Sequence, residues 1–345
     1  MKETRKMTAG RIVASCVALM LGASPLAAAE RFRVLAYTIA PGEIRHPSIA
    51  TAQTVLPHWG KKRGITIDVA TEPSVFNAKN LSRYRTVVFV SVEGQKLSGD
   101  QRKAFEDYIR RGGGFVGIHA AAGLGREAEW PFYHGLLGHV QFVAHTPSYI
   151  WSTPPLAPGQ VPTGKTPVTF RGPLDQAPPD ADPGEFWHMP GAAAISWTPG
   201  RLVVEDGRSE AMKTLRTGTR VEEWYGFDDN PRSRVHVLAS VDENSYVPVG
   251  SSMGADHPIA WCHEYQGGRA VYTALGHRRE TWADDAGFEG HVMGAIEMAA
   301  GAVPFNCKVN NPPPPAAPRI WRFHAVSPST PADGGSHSAS PSRDR

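Results

Sequence analysis

The stretch from Ser98 to Ala120 constrains the fold of this chain more than any other part of it. Ser98 and Asp100 can cap a helix, and Phe105, Tyr108 and Ile109 give that helix an apolar stripe at spacings of three and four. Arg110 and Arg111 suit its C-terminal dipole, and Gly112-Gly113-Gly114 stops it. Phe115–Ala120 then reads as a strand. Upstream, Thr86–Val92 is a continuous apolar run of the kind found in strands covered on both faces. Strand, helix and strand in this order imply a right-handed parallel crossover. Open parallel sheets hold ligands beyond the carboxyl ends of their strands, which places His119 at the functional edge.

The flanking sequence extends this pattern. Phe32–Ile39 and Ile65–Ala70 read as strands around a helix that begins after Pro47 and runs to about Lys62, with Pro57 expected to kink or shorten it. Val235–Val241, Ile259–Tyr265 and Arg269–Leu275 read as strands, the last two joined by a hairpin turn at Gly267-Gly268. Phe288–Ala300 reads as a closing helix. Residues 146–220 are rich in Pro, Gly and Asp, with short strand-like pieces such as Leu202–Glu205, and read as a divergent insertion. The expected fold class is α/β: a flavodoxin-like three-layer sandwich with a mostly parallel central sheet and a loop-rich β insertion, spanning residues 30–307. Beyond Cys307, Pro312 to Pro315 are consecutive and Ser, Pro, Gly and Asp dominate from Ser327, so 308–345 reads as a disordered tail.

The first 29 residues read as a cleaved signal peptide. Lys2, Arg5, Lys6 and Arg11 make a basic start, Ile12 to Gly22 is an apolar run too short to span a bilayer, and Ala27-Ala28-Ala29 offers small residues for cleavage. The expected location is periplasmic or secreted. The whole chain has 36 Lys and Arg against 33 Asp and Glu, but four of the former and one of the latter lie in that leader. The remaining chain carries 32 of each, so its charge gives no case for nucleic acid or an anionic membrane, and no membrane span is expected after cleavage. Cys262 and Cys307 remain. An oxidising compartment permits a disulfide between them, and two separate thiols fit the spacing equally well.

The chain resembles the ThuA-like (trehalose utilisation) family, a branch of the class I glutamine amidotransferase-like superfamily. The resemblance is carried by Arg45-His46, by Gly112 through Ala121, by Trp130 with Gly138–His145, and by Glu223-Trp224-Tyr225-Gly226-Phe227. Further on it is carried by Val235–Tyr246, by His257-Pro258-Ile259-Ala260-Trp261 and by Gly268 through His277. Each piece alone is unspecific; their order over residues 32–302 is not. The chain departs from the family pattern in the length of 146–220, in Glu222-Glu223 where Asp-Glu is common, and in its Pro-rich tail.

In amidotransferases of this superfamily the sharp turn after the Gly-rich strand carries a nucleophilic Cys. Here the matching position is His119, with no Cys or Ser at the turn, which argues against glutamine hydrolysis. What remains is an imidazole site. His46, His119 and His277 each follow a predicted strand, and His145 lies just after a predicted strand near Gln141–Phe142. Histidine exchanges protons near neutral pH or binds metal through a neutral nitrogen. His119, Glu223 and His277 are therefore the candidate catalytic residues. Arg45, His46, Trp130, His145, Tyr225, Trp261 and His263 are the candidate substrate contacts, because aromatic faces beside charged donors suit a sugar. Three or four of His46, His119, His145, Glu223 and His277 could surround Zn²⁺ or another divalent metal, although no short-range ligand motif brings them together.

The resemblance implies work on trehalose-like disaccharides or their 3-keto derivatives. Its first form is an exported hydrolase, lyase or isomerase acting on a small carbohydrate. A non-catalytic periplasmic sugar- or partner-binding module on the same scaffold is the alternative, and a purely structural exported domain the third. Glu223 has a competing assignment as a solvated pair with Glu222 on a loop.

Overall fold

A computed structural model describes residues 30–38, 46, 48–92, 97–123, 130–145, 198–246 and 252–309, with the backbone of four short strands between 149 and 195. Residues 1–29, read above as a signal peptide, Arg45 and residues 310–345 lie outside the described residues. The first half alternates strand and helix: β1 (Phe32–Tyr37), α1 (Ser48–Lys62), β2 (Ile65–Ala70), α2 (Ala78–Leu81), β3 (Thr86–Val90), α3 (Gly99–Arg110) and β4 (Gly114–Ile118). Then come α4 (Pro131–Leu136), β5 (Phe142–His145), β6 (Tyr149–Ser152), β7 (Thr169–Arg171), β8 (Trp187–Met189) and β9 (Ala192–Ile195). The second half holds β10 (Thr198–Val204), β11 (Gly218–Glu222), β12 (Tyr225–Phe227), β13 (His236–Asp242), β14 (Pro258–Tyr265), β15 (Gly268–Thr273), α5 (Arg279–Ala283) and α6 (Ala286–Ala299).

Nine strands form one sheet in the order β11-β10-β13-β14-β15-β4-β3-β1-β2. From β15 to β2 every pairing is parallel, and from β15 outward to β11 every pairing is antiparallel. The parallel part is the α/β core anticipated from the sequence. The antiparallel part includes β10 and β11, so the stretch read as an insertion returns to the central sheet at Thr198. Within that stretch β6 to β9 make a separate four-stranded sheet, and β5 pairs with β12 in a two-stranded one. Sequence periodicity cannot separate these cases, because a short strand looks alike whether it extends a large sheet or forms a small one.

Local chemistry explains the element boundaries. The Ser98 backbone N–H donates to Gln101 Oε1 at 2.8 Å, one half of a capping box that stabilises α3 by about 1 kcal/mol. Pro57 lies inside α1 without ending it: the residue is exposed, and the helix continues to Lys62. The hairpin between β14 and β15 turns at Gln266 and Gly267, both with positive φ, one residue earlier than the sequence suggested. Gly114 has a packing reason: a Cβ there would stand 2.3 Å from the Ala299 carbonyl oxygen of α6, so only glycine lets the closing helix lie on β4.

Cys262 and Cys307 form a disulfide with a Cα–Cα distance of 5.5 Å, which ties β14 to the segment after α6. Among the described residues no helix is long and apolar enough to cross a membrane.

His291 on α6 is wholly buried, with Nδ1 donating to the Ala211 carbonyl at 2.8 Å. Burial pushes its pKa down to about 4. Between that value and an unfolded value of about 6.5, the unfolded chain binds a proton that the folded chain refuses. Stability is therefore expected to fall as pH drops through this window, by about 2 kcal/mol from pH 7 to pH 5 through this residue. Urea unfolding at the two pH values checks this, and the loss should shrink in His291→Asn.

Candidate metal centre

His119 is the first residue after β4, at φ 53°, a left-handed conformation rarely adopted outside glycine. Two buried phenols hold this turn. Tyr272 Oη donates to the His119 carbonyl at 2.9 Å, and Tyr133 Oη donates to the Ala121 carbonyl at 2.7 Å. The strained backbone is thus over-determined by its surroundings, as expected at a functional turn. Next in the sheet is β15, whose exit loop carries His277. Gly276 in that loop has φ 105°, its carbonyl accepts from the Trp282 indole at 2.9 Å, and its N–H donates to Glu222 Oε2 at 3.4 Å. Glu222 also accepts from Thr281 Oγ1 at 3.1 Å. Glu222 is fully buried and braces the His277 loop, a role absent from the sequence reading, and its burial goes against the competing assignment of Glu222 and Glu223 as a solvated pair. Nothing in the sequence marked it.

Glu223 faces the histidines. His119 Nδ1 lies 2.9 Å from the Ala274 carbonyl oxygen; a carbonyl only accepts, so Nδ1 carries a hydrogen and Nε2 is the nitrogen that faces inward. His119 Nε2 stands 2.9 Å from Glu223 Oε2 and 3.2 Å from His277 Nδ1. His277 Nδ1 is itself 3.0 Å from the same Glu223 oxygen. The His46 ring meets the His119 and His277 rings edge-on at 4.9 and 5.3 Å between centroids. One donor atom from each of His46, His119, Glu223 and His277 lies within 4.8 Å of the other three. Burial alone would push the Glu223 pKa up, but His277 and His119 outweigh it and hold the carboxyl well below the usual range. Two ring nitrogens and a carboxylate oxygen this close need positive charge among them, as protons or as a metal ion.

Tyr225 completes the wall. Its hydroxyl oxygen is 2.9 Å from His119 Nε2, and its ring lies 4.3 Å from that imidazole and 4.2 Å from Phe142. Its carbonyl accepts from His257 Nε2 at 2.7 Å, and His257 Nδ1 is 2.7 Å from Glu243 Oε1. His257 and Glu243 were not singled out from the sequence, although His257 opens one of the segments that carry the resemblance.

Other candidates lie elsewhere. Trp130 is buried, donates to Glu106 Oε1 at 2.9 Å and stacks on Tyr133. Trp261 is fully buried and donates to the Leu137 carbonyl at 3.1 Å. His263 is buried with Nε2 2.9 Å from the Leu136 carbonyl, and burial pushes its pKa down. Each of these three is buried with its ring nitrogen engaged by a partner in the core. Large aromatic residues fill cores more often than they line pockets, and alternation along a strand does not reveal which face is covered. His145 ends β5, and its Cα is the register partner of Tyr225, so that strand end comes to the edge of the site.

The profile of the ThuA family, described as trehalose utilisation, matches residues 33–299. The chain belongs to that family. A ThuA-like protein from Bacteroides uniformis is 21% identical, with a TM-score of 0.56 over 80% of this chain and 94% of that one. A ThuA-like protein from Parabacteroides merdae is 18% identical, with a TM-score of 0.50 over 83% of this chain and 94% of that one. At such identity the likeness shows the shared α/β flavodoxin-like fold and nothing of substrate. No curated protein matches the chain.

Proposed function

We propose that this ThuA-family member is an exported enzyme that holds a divalent metal at His46, His119, Glu223 and His277 and processes a small disaccharide or keto-glycoside. The observation that carries the proposal is the triangle of 2.9, 3.0 and 3.2 Å made by His119 Nε2, Glu223 Oε2 and His277 Nδ1. Ligands at right angles on an ion with bonds of about 2.1 Å stand about 3.0 Å apart, whereas tetrahedral ligands stand about 3.4 Å apart. Two histidines and one carboxylate on such a face, with further positions open, favour a six-coordinate ion such as manganese or iron over zinc. The Ala274 carbonyl fixes the tautomer of His119 from behind, as outer-shell partners of metal-bound histidines do.

A bound ion would polarise a carbonyl or hydroxyl oxygen of the sugar. The residues of the chain supply the rest. Glu223 brings the negative charge, His46 and His277 close the site from two further loops, and the Tyr133 and Tyr272 phenols keep the His119 turn in place. The disulfide between Cys262 and Cys307 supports export, since such bonds persist in oxidising compartments.

Elemental analysis of the purified protein, followed by assays of disaccharides and 3-keto glycosides with metal-loaded and chelator-stripped samples, tests the reading. Turnover that needs the metal is expected. Binding of a disaccharide without turnover in the loaded protein would assign it to the sugar-binding alternative. Full turnover by stripped protein would overturn the metal.

A further inference from the structure

One more oxygen, the Tyr225 hydroxyl, stands as close to His119 Nε2 as Glu223 does. We propose that the Tyr225 hydroxyl oxygen is a further ligand of the same ion, bound as phenolate, so that the centre is three histidines, one carboxylate and one tyrosinate. The inference rests on the metal reading of the previous section. Its basis is a conflict of roles at one atom. A ring nitrogen whose lone pair is given to a metal has none left to accept a hydrogen bond from a phenol. The Tyr225 oxygen nevertheless stands 2.9 Å from His119 Nε2. That spacing equals the sides of the triangle formed by the other donors, 2.9, 3.0 and 3.2 Å. It is the separation of two adjacent ligands of one ion.

The phenol is also held there. Tyr225 is buried, with its ring between the His119 imidazole at 4.3 Å and the Phe142 ring at 4.2 Å. Its backbone is fixed from the opposite side by the His257 bond to its carbonyl at 2.7 Å, and His257 is fixed by Glu243 at 2.7 Å. Glu243 in turn accepts from Ser252 Oγ at 2.6 Å and from the Gly254 N–H at 3.1 Å. The link after β11 that carries Glu223 therefore presents Tyr225, the first residue of β12, two residues later at a set place. Charge agrees with the assignment: a carboxylate and a phenolate neutralise a divalent ion in a buried site, while the three imidazoles add nothing. On ligation the O–H bond breaks, its proton passes to solvent, its electron pair forms the bond to the metal, and no atom changes oxidation state. A second anionic oxygen also makes the site harder, favouring iron or manganese over softer ions.

The test loads chelator-treated full-length mature protein with ferric ion and reads the visible spectrum. A phenolate on ferric iron gives an intense charge-transfer band, and imidazole and carboxylate do not. The band is expected in the wild type, lost in Tyr225→Phe and kept in Tyr265→Phe. Resonance Raman of the wild type alone, showing tyrosinate ring modes on excitation in the band, supports the proposal even if the Phe variant does not fold. Iron bound without the band, or a band that survives Tyr225→Phe, overturns this proposal and leaves the metal reading standing. Zinc bound while ferric ion is refused also overturns it. Protein that binds neither metal overturns both.

Discussion

If the proposed metal centre is right, Glu223→Gln is expected to abolish metal binding there and to lower the proposed metal-dependent turnover by more than about a hundredfold. The size follows from what the residue does. Losing a partner that merely orients a ligand costs about ten- to a hundredfold in affinity or activity, and Glu223 is a proposed ligand itself. Gln keeps the shape and removes the charge. Its amide leaves the cluster of His119 Nε2 and His277 Nδ1, now 2.9 and 3.0 Å away, without the negative group that attracts a cation. The check is metal content per chain together with thermal stability with and without chelator. A metal held at a hundred times its dissociation constant adds about 2.7 kcal/mol to the folded state. The wild type should lose that increment on chelation, and Glu223→Gln should show no change. A variant that keeps one metal per chain at wild-type affinity would remove Glu223 from the centre.

The second large effect is on stability. Cys262 and Cys307 are separated by 45 positions, and closing a loop of that length restricts the unfolded chain by about 4 kcal/mol in the chain-entropy account. The bond also joins β14, in the antiparallel part of the sheet, to the segment that follows α6. Both cysteines are buried, so Cys262→Ala with Cys307→Ala is the fair replacement, because Ser would leave two hydroxyls to satisfy. Urea unfolding should show the double variant less stable by about 2 to 4 kcal/mol, and reductant should lower the wild type by a like amount. Two titratable thiols in the native protein, with stability indifferent to reductant, would rule the bond out and remove one support for export.

The fold was largely legible because the features that carry it are local. The cap at Ser98, the stripe of Phe105, Tyr108 and Ile109, and the glycines at 112–114 are each read within a few residues, and together they place His119 at a strand end. The antiparallel half was less legible. Thr198–Val204 and Gly218–Glu222 carry no local mark of the sheet they join, since pairing across a long connection depends on strands far away in sequence. The candidate site shows the same division. His119 and His277 were placed by their strands, and Glu223 by its segment. The burial of Trp130, Trp261 and His263 was not legible because it depends on what packs over a residue, and Glu222 was passed over for the same reason.

From the residues alone came a parallel α/β core and a histidine at the end of its Gly-rich strand, which follow from short-range pattern and residue identity; the expectation against glutamine hydrolysis came from the family resemblance. The tertiary structure alone decided that His46, His119, Glu223 and His277, from four segments spread over more than half the chain, bring their donor atoms within 4.8 Å of one another. It also decided that Tyr225 stands beside them. Convergence of this kind is a property of how strands are ordered and loops return over one sheet edge, and no spacing along the chain records it.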